Sequence, residues 1–369
     1  MKKFLGILLI IWFVVGNVYS YGPQGHSAVG AIADARLANT TVASKVSQLL
    51  HGLSLRRAAT LPDEIKSLDP CGQKKKKSAA KPKQNHAAGE NKPPAAKKKT
   101  KSIFKPAIPK IVETQLRAFV KANPCTGKIF HRNFHFTDVP VFDDDKYSLG
   151  GVGTNKFDIV QMINFCIRVL KNEVPENNQR AITKTIAVIL LAHYLGDIHQ
   201  PLHVGAEYFN SKGPCEPNGG VCKADRGGNL VALFLLINGK KVKAGNNLHS
   251  YWDGQAVTTA LGSTTFDAFV QDAASNEPAN WKLSAPVEEW SRLLADEILP
   301  IAKEAHDRLN FPKSSIVLGS SAKEIASCTA EEKPVSSGPT YEKWAGSTAR
   351  TEIQKGGWRL AALLEAVLQ

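Results

Sequence analysis

Two stretches of the sequence pair a histidine with an aspartate four residues later. The stretch AHYLGDIHQPLH carries His193 and Asp197, and the stretch NLHSYWD carries His249 and Asp253. Residues four apart lie on the same face of an α-helix, so each pair can direct both side chains at one ion. Imidazole nitrogens and carboxylate oxygens bind zinc where cysteine thiolates are not used. The spacing therefore indicates metal sites.

The surroundings of the first pair strengthen this interpretation. A histidine and an aspartate four residues apart are common on solvated helix faces, so the spacing alone is a weak signal. His193 and Asp197, however, follow the wholly apolar run 186–192. Pro201 ends this helix, and His203 returns the chain toward the same face. Buried imidazoles and carboxylates need partners, and a metal ion is one partner that serves both.

Further donors are scattered along the chain. They are His26, Asp63 in LPDEI and His135 in FHFTD. Taken alone, each of these residues is more typical of a structural role than of a catalytic one. Removal of the first twenty residues would add the α-amino group of Tyr21. Five histidines, three aspartates and this amine supply enough donors for about three zinc ions of four or five ligands.

The first twenty residues, MKKFLGILLIIWFVVGNVYS, have the composition of a secretory signal. A basic start precedes the apolar run 4–15, and small residues precede the predicted cleavage after Ser20. The run is too short for a membrane span. The alternative to a cleaved signal is an N-terminal membrane anchor. The sequence therefore predicts an exported protein, secreted or periplasmic, with no membrane span.

Export permits disulfide bonds among the six cysteines. Cys215 and Cys222 lie close together in a Gly/Pro-rich loop, 204–228, and are the best candidate pair. Cys71 and Cys125 flank a basic insert and are candidates to close it off. No CxxC pair occurs, which argues against a cysteine zinc site.

The net charge of +14 has a local origin. Residues 73–110 hold thirteen lysines and one glutamate, the signal adds two lysines, and the remaining chain sums to zero. The basic pI therefore does not predict a basic cleft. Rich in Lys, Ala and Pro, the insert at about 73–110 is predicted to be disordered. We interpret it as a solvated loop; the alternative is a contact with polyanions such as nucleic acid.

Hydrophobic periodicity predicts an all-α fold class, a mainly α-helical single domain over 21–369 interrupted by the insert. The strongest strand signal covers 230–237. The predicted helices are 27–37, 42–50, 158–171, 181–197, 248–261, 286–309 and 352–368.

Six motifs occur in a fixed order along the chain: YGPQGH, LPDEIK, FHFTDVP, HYLGDIHQPLH, DRGGN and NLHSYWD. In these motifs the sequence resembles the S-one/P-one family of zinc nucleases, which shares its fold with bacterial zinc phospholipases C. The resemblance covers 21–368 apart from the insert. It implies a phospholipase C/nuclease-like fold and a zinc endonuclease that cuts single-stranded DNA and RNA to 5′-phosphorylated products and acts on 3′-nucleotides. We expect a monomer.

The resemblance also implies three zinc ions and their ligands. Residue 21 is Tyr where the family usually has Trp, a change that backbone ligands tolerate. The implied ligand sets are Asp63, His135, His193 and Asp197 for one ion, the backbone of Tyr21 with His26 and Asp197 for a second, and His203, His249 and Asp253 for a third.

Substrate contacts follow from the same resemblance. Phe136 would stack on a base, Asp138 would accept hydrogen bonds from a base edge, and Asn229 would lie near the substrate. Stacking tolerates any base but needs an unpaired one, which explains a preference for single strands. Lys66 would stabilise charge on the phosphoryl group, and with Asp63 and Asp197 it completes the implied catalytic set. His199 and Asp225 occupy motif positions and are interpreted as supporting groups.

The sequence leaves two other functions open. A zinc phospholipase C would share the ligand set, although FHFTD and DRGGN favour the nuclease. A secreted polyanion-binding protein would use the insert and hold its metals structurally; binding without hydrolysis, insensitive to a chelator, would be its signature.

Overall fold

A computed structural model of the chain describes most of the predicted domain. The predicted signal sequence, the insert up to residue 101 and Cys71 lie outside the described residues. The described residues are 21–69, 102–127, 129–142, 146–217, 221–275, 278–321 and 323–369.

The described chain is mainly α-helical, as predicted. None of its helices is both long enough and apolar enough to cross a lipid bilayer. The helices are α1 (Gly22–Leu37), α2 (Thr41–Leu49), α3 (Leu55–Ala58), α4 (Leu61–Glu64), α5 (Lys110–Ala122), α6 (Ile159–Leu170), α7 (Lys184–Asp197), α8 (Leu248–Tyr251), α9 (Val257–Leu261), α10 (Phe266–Ser275), α11 (Trp290–Asp307) and α12 (Tyr341–Leu368).

Helix α7 lies at the centre of the fold. Thr183 caps it by accepting the N–H of Ile186 at 3.2 Å, and every residue from Thr185 to Asp197 is buried. Helices α1, α3, α5, α6 and α12 all contact it. A helix that is covered on every side needs apolar residues all round, which explains why its sequence shows no amphipathic stripe.

The predicted helices are confirmed, with shifts at their ends. The C-terminal helix begins at Tyr341 rather than at 352. Its first turns contain Gly, Ser and Thr, which are weak helix formers, and they are held by packing against α9 and the segment Trp252–Ala256. Helices α5 and α10 have no counterpart among the predictions.

A four-stranded sheet flanks the helices, with strand order β7-β6-β9-β8. The predicted strand at 230–237 is confirmed as β6. It pairs antiparallel with β7 and parallel with β9. The strands are β1 (Val139–Pro140), β2 (Gly205–Ala206), β3 (Tyr208–Asn210), β4 (Gly213–Pro214), β5 (Lys223–Ala224), β6 (Val231–Ile237), β7 (Lys240–Ala244), β8 (Leu309–Asn310) and β9 (Cys328–Glu332).

The predicted end of the disordered insert near residue 110 is too late. Phe104 is buried at 2% exposure, and Ile108 packs against the core. Arg57 Nη2 donates to the carbonyl of Pro106 at 3.1 Å. The apolar side chains within SIFKPAIP give this segment enough surface to bury, in contrast to the lysine-rich part before it.

The cysteines partly test the predicted pairing. Cys215 and Cys222 form the predicted disulfide. Cys125 is also disulfide-bonded. Cys166 and Cys328 are free thiols, both buried.

Gly30 allows α1 and α3 to approach closely. A Cβ at this position would lie 2.4 Å from the carbonyl oxygen of Leu55. We expect Gly30→Ala to lower the free energy of unfolding by about 1–3 kcal/mol through overpacking, measured by urea denaturation. Gly254→Ala is the control, because Gly254 is helical and a methyl group there would meet no neighbouring atom within 4 Å. Equal stability of Gly30→Ala and wild type would contradict this close approach.

Candidate metal centre

Side chains from six separate segments converge in the interior. Helix α1 supplies one histidine, α4 one aspartate and α7 one residue of each type, and the remainder come from the turns His131–His135 and Pro201–His203 and from the α8 region. All are buried, and within each of three groups the ligand atoms lie within 4.8 Å of one another. The groups are His26, Asp63 and His193; His135, His193 and Asp197; and His203, His249 and Asp253.

Asp197 connects these groups. Its Oδ2 lies 2.8 Å from His135 Nδ1 and 3.0 Å from His193 Nε2. Its Oδ1 lies 3.3 Å from His26 Nε2 and 3.7 Å from His203 Nδ1. One carboxylate at the end of α7 thus contacts four imidazoles, an arrangement in which it can be shared between neighbouring ions.

Backbone carbonyls fix the orientation of three histidine rings. A ring nitrogen that faces a carbonyl must carry the proton, so the other nitrogen keeps its lone pair for a metal. In all three rings Nδ1 donates and Nε2 is left to bind. The pairs are His193 with Ala59 at 2.7 Å, His203 with His135 at 2.7 Å and His249 with Gly227 at 2.8 Å.

Several buried polar atoms in the groups make no hydrogen bond within the described part of the chain. They are both ring nitrogens of His26, Nε2 of His203, Oδ2 of Asp63 and Oδ2 of Asp253. Leaving such atoms unsatisfied costs free energy, so buried polar groups are normally paired. Metal ions satisfy nitrogen and carboxylate oxygen together, and this His/Asp donor set suits zinc. The residues present therefore fit zinc ions.

Gly196 makes room for His26 against α7. A Cβ at Gly196 would lie 2.7 Å from His26 Nδ1, and the ring of His26 stacks on that of His193 with centroids 3.7 Å apart. The glycine immediately before Asp197 is thus required by the approach of a ring from α1.

The backbone of Tyr21 lies beside the third group. Its N–H donates to Asp253 Oδ1 at 2.9 Å, and its carbonyl accepts the N–H of Gly25 at 3.2 Å. Gln200 Nε2 also donates to Asp253 Oδ1 at 2.9 Å. The structure therefore places residue 21 within reach of the ligands, with its amide nitrogen directed at a carboxylate.

A cleft opens beside the three groups. The sequence-predicted substrate residues all line it, together with ligands from two of the groups. Lys66 also lines the cleft and forms an ion pair with Asp63. The cleft is lined by Lys66, Arg132, His135, Phe136, Asp138, Leu202, His203, Arg226, Asn229, His249 and Asp253.

The family model described as S1/P1 Nuclease matches residues 120–369 of this chain. The chain belongs to the S1/P1 nuclease family. This confirms the family that the six motifs indicated. His26 and Asp63 precede the matched residues, yet the fold brings them against His193, which lies within the match.

Relatives from Arabidopsis thaliana share shorter segments. Endonuclease 1 is 36% identical over 84 residues, which are 23% of this chain and 20% of the relative. Endonuclease 2 is 26% identical over 121 residues, 32% of this chain and 34% of the relative. Endonuclease 5 is 29% identical over 119 residues, 29% of this chain and 33% of the relative. The matched segments thus span between a fifth and about a third of these relatives.

In this member of the S1/P1 nuclease family, burial and charge favour the metal-binding protonation states of His135, His203 and Asp63. Burial would likewise lower the pKa of His193, but the carboxylates of Asp197 and Asp63 raise it. Burial lowers the pKa of His203 to about 3 and that of His135 well below its usual value. Burial alone would raise the pKa of Asp63, but Lys66 and the neighbouring imidazoles lower it to about 2. The imidazoles of His135 and His203 are therefore neutral and the Asp63 carboxylate is ionised, as metal binding requires.

Asp138 lines the cleft and is partly exposed. Its carbonyl accepts the hydroxyl of Tyr208 at 2.8 Å, and its N–H donates to the carbonyl of Gly153 at 3.2 Å. Burial, followed by the nearby charge of Asp225, raises the pKa of Asp138 to about 7. Hydrogen bonds on both sides thus fix the backbone that carries this carboxyl group.

Two arginines in the cleft were not predicted. Arg132 Nη2 donates to the carbonyl of Lys66 at 2.7 Å, and its Nε donates to Asp69 Oδ2 at 3.1 Å. It therefore holds the Lys66 turn at the rim. Arg226 belongs to the DRGGN motif, which was a usable signal, whereas Arg132 lies three residues before His135 with no motif to mark it.

His199 and Asp225 lie outside the three groups. His199 Nδ1 donates to the carbonyl of Leu195 at 2.6 Å, and Arg359 Nη1 contacts its Nε2 at 3.0 Å. Its own carbonyl accepts the hydroxyl of Tyr21 at 3.3 Å. The side chain thus fixes the loop that follows α7 and, through it, residue 21.

Asp225 links the DRGGN loop to α11. Its Oδ2 lies 3.1 Å from His306 Nε2, and its Oδ1 accepts the N–H of Glu207 at 3.2 Å. His306 Nδ1 donates to the carbonyl of Ala302 at 2.8 Å. Burial alone would lower the pKa of His306, but the hydrogen bond to Asp225 raises it to about 9. Both ring nitrogens therefore donate, and the pair is charged at neutral pH.

This pair makes stability depend on pH. The folded-state pKa of His306 is about 9, above its ordinary value of 6.5. Its contribution is therefore fully present below pH 6.5 and disappears as pH rises through about 9. We expect His306→Asn to destabilise the metal-free protein on the order of 3 kcal/mol at pH 6, and much less at pH 10. Urea denaturation at both values measures the difference.

The exposed histidine His51 provides the matched control for that measurement. His51→Asn should change stability little and equally at the two pH values. A loss in His306→Asn that is the same at pH 6 and pH 10 would show that the histidine acts by packing rather than by charge.

Proposed function

We propose that this protein is a secreted or periplasmic zinc-dependent endonuclease that hydrolyses single-stranded DNA and RNA to 5′-phosphorylated products and removes phosphate from 3′-nucleotides. The observation that carries the proposal is the position of three buried ligand groups beside a cleft that holds Phe136, Asp138 and Lys66. Membership of the S1/P1 nuclease family supports hydrolysis of phosphodiester bonds.

We assign three zinc ions to the site. Bound zinc supplies positive charge to phosphoryl oxygens and lowers the pKa of a water molecule. The proposed ligands follow the sequence prediction: Asp63, His135, His193 and Asp197; Tyr21, His26 and Asp197; and His203, His249 and Asp253. Support comes from the neutral imidazoles of His135 and His203, the ionised carboxylate of Asp63 and the buried ligand atoms that lack hydrogen bonds.

Processing of the N-terminus is part of the proposal. In the full chain the nitrogen of Tyr21 is a peptide amide, which cannot bind a metal while it keeps its proton. Cleavage after Ser20 would convert it to an amine within 2.9 Å of Asp253. The predicted signal thus gives a reason for the precursor to be inactive. The disulfide between Cys215 and Cys222 is typical of an oxidising compartment and supports export.

Three side chains orient the substrate. The ring of Phe136 offers a stacking surface for one unpaired base. The carboxylate of Asp138 accepts hydrogen bonds from amino or imino groups on that base's edge. Lys66 lines the cleft beside Asp63, where its charge would stabilise negative charge that develops on the phosphoryl group. Arg132 fixes the backbone of Lys66 and so directs this charge.

The residues of the site support no substrate class other than nucleic acid and 3′-nucleotides, and no further partner. A contact between polyanions and the lysine-rich insert stays a prediction, because lysines 74–101 lie outside the described residues. We also propose that the protein acts as a monomer, since each ligand group is complete within one chain.

The first test combines activity with metal analysis. Mature protein, beginning at Tyr21, should cleave denatured DNA, and a chelator should abolish the cleavage until zinc is restored. Asp197→Asn should lose zinc and at least about 1000-fold in activity, because several kcal/mol of charge stabilisation disappear with the shared carboxylate.

Asp267→Asn is the control for the chemical change alone. Asp267 lies on α10 and its side chain is 86% exposed. It should keep both zinc and activity. Normal zinc content with full activity in Asp197→Asn would refute the assignment. Hydrolysis of phosphatidylcholine instead of DNA would identify a phospholipase C, and DNA binding without hydrolysis, unaffected by chelation, would identify a binding protein.

Phe136 should govern base recognition rather than chemistry. We expect Phe136→Ala to raise KM for a dinucleotide roughly tenfold or more, since stacking on an aromatic ring is worth about 1–3 kcal/mol per base. The change in kcat should be smaller, and zinc content should not change. Phe136→Trp keeps a stacking surface and should retain most of the affinity. Equal loss in both variants would argue that the site needs the shape of phenylalanine, not its ring face.

A further inference from the structure

A second groove runs along α6, apart from the cleft. We call it the α6 groove and define it by Lys156, Phe157, Phe165, Arg168 and Arg180. It shares no lining residue with the cleft at the metal centre. Its remaining lining side chains are four amides, Met162 and Val174, and no carboxylate lines it within the described part of the chain.

The α6 groove combines cations with aromatic rings. Lys156 and Arg168 are exposed, and both phenylalanines are half-buried. The guanidinium carbon of Arg180 lies 4.1 Å from the ring centroid of Phe157. Arg168 is paired only loosely, with Nε 3.6 Å from an oxygen of the exposed Glu173. Positive charge interleaved with aromatic surface suits a chain of phosphates and unpaired bases.

The backbone that forms the α6 groove is hydrogen-bonded to the backbone of Phe136, which lines the cleft. The carbonyl of Phe136 accepts the N–H of Ile159 at 3.3 Å, two residues after Phe157. Arg180 also faces the ring of Phe134, at 5.7 Å. The cleft and the α6 groove are therefore adjacent where Phe136 meets the start of α6.

We propose that the α6 groove binds a second part of the same single-stranded nucleic acid, beyond the nucleotides held at the metal centre. Phe157 and Phe165 would offer stacking surface to bases, and Lys156, Arg168 and Arg180 would contact phosphates. This proposal rests on the proposed function. It predicts that affinity increases with substrate length, because short substrates fill the cleft without reaching α6.

The test compares two substrates on one pair of variants. Lys156→Gln with Arg168→Gln removes two exposed charges from the groove, and Lys240→Gln with Lys243→Gln removes two exposed charges from β7. The substrates are a dinucleotide and a single-stranded DNA of about twelve nucleotides. We expect the groove variant to raise KM for the long substrate roughly tenfold and to reduce the slope of log KM against log salt concentration by about 1.4.

The same variant should leave the dinucleotide unaffected, and the β7 variant should leave both substrates unaffected. Equal losses on both substrates, or equal losses in the two variants, would overturn the proposal. No loss on the long substrate would overturn it as well. Failure of wild type to cleave either substrate would refute the proposed nuclease function itself, which is a separate outcome.

A second measurement addresses stacking without relying on charge. Long substrates that lack one base, at successive positions on either side of the cut, should show a position outside the central dinucleotide where the loss raises KM. Phe157→Leu keeps an apolar side chain of similar size, so the fold should persist. In that variant the missing base should no longer matter. An unchanged profile in Phe157→Leu would overturn the stacking role of the α6 groove.

Discussion

The burial of one carboxylate among four imidazoles is the constraint on which the rest of the structure depends. Asp197 is fully buried, and in a protein interior an ionised carboxylate persists only with strong compensating partners. Burial alone would raise its pKa, but the charge of His193 and the hydrogen bonds from His135 and His193 lower it well below the usual value. The charge is therefore retained at the place where the ligand groups meet, and every element that supplies an imidazole must be positioned around it.

The helical architecture satisfies this constraint by enclosing α7. Because α7 is covered on all sides, its last turn delivers His193 and Asp197 into the interior rather than to the surface. Small residues then allow close approach: Gly196 admits the ring of His26, and Gly30 admits the backbone of α3. Supporting pairs, such as Asp225 with His306, hold the surrounding loops from the outer side.

The placement of positive charge follows a similar logic. Outside the predicted signal and insert the chain has no net charge, yet Lys66, Arg132 and Arg226 face the cleft and a further three cations face the α6 groove. A neutral body with cations concentrated along two neighbouring grooves can bind a polyanion locally without a uniformly basic surface. The proposed course of the strand follows these two grooves.

Local geometry explains what the sequence by itself determined. Residues four apart share a helix face, so the ligand pairs in HYLGD and HSYWD could be predicted without any tertiary information. The motifs identified the family, and apolar periodicity located the helices and β6. Only the tertiary structure shows that His26 and Asp63 lie against His193 and that Arg132 donates a hydrogen bond to the carbonyl of Lys66. It also shows that α12 begins at Tyr341 and that Phe104 is buried. These depend on contacts between segments distant in sequence, which no local pattern encodes.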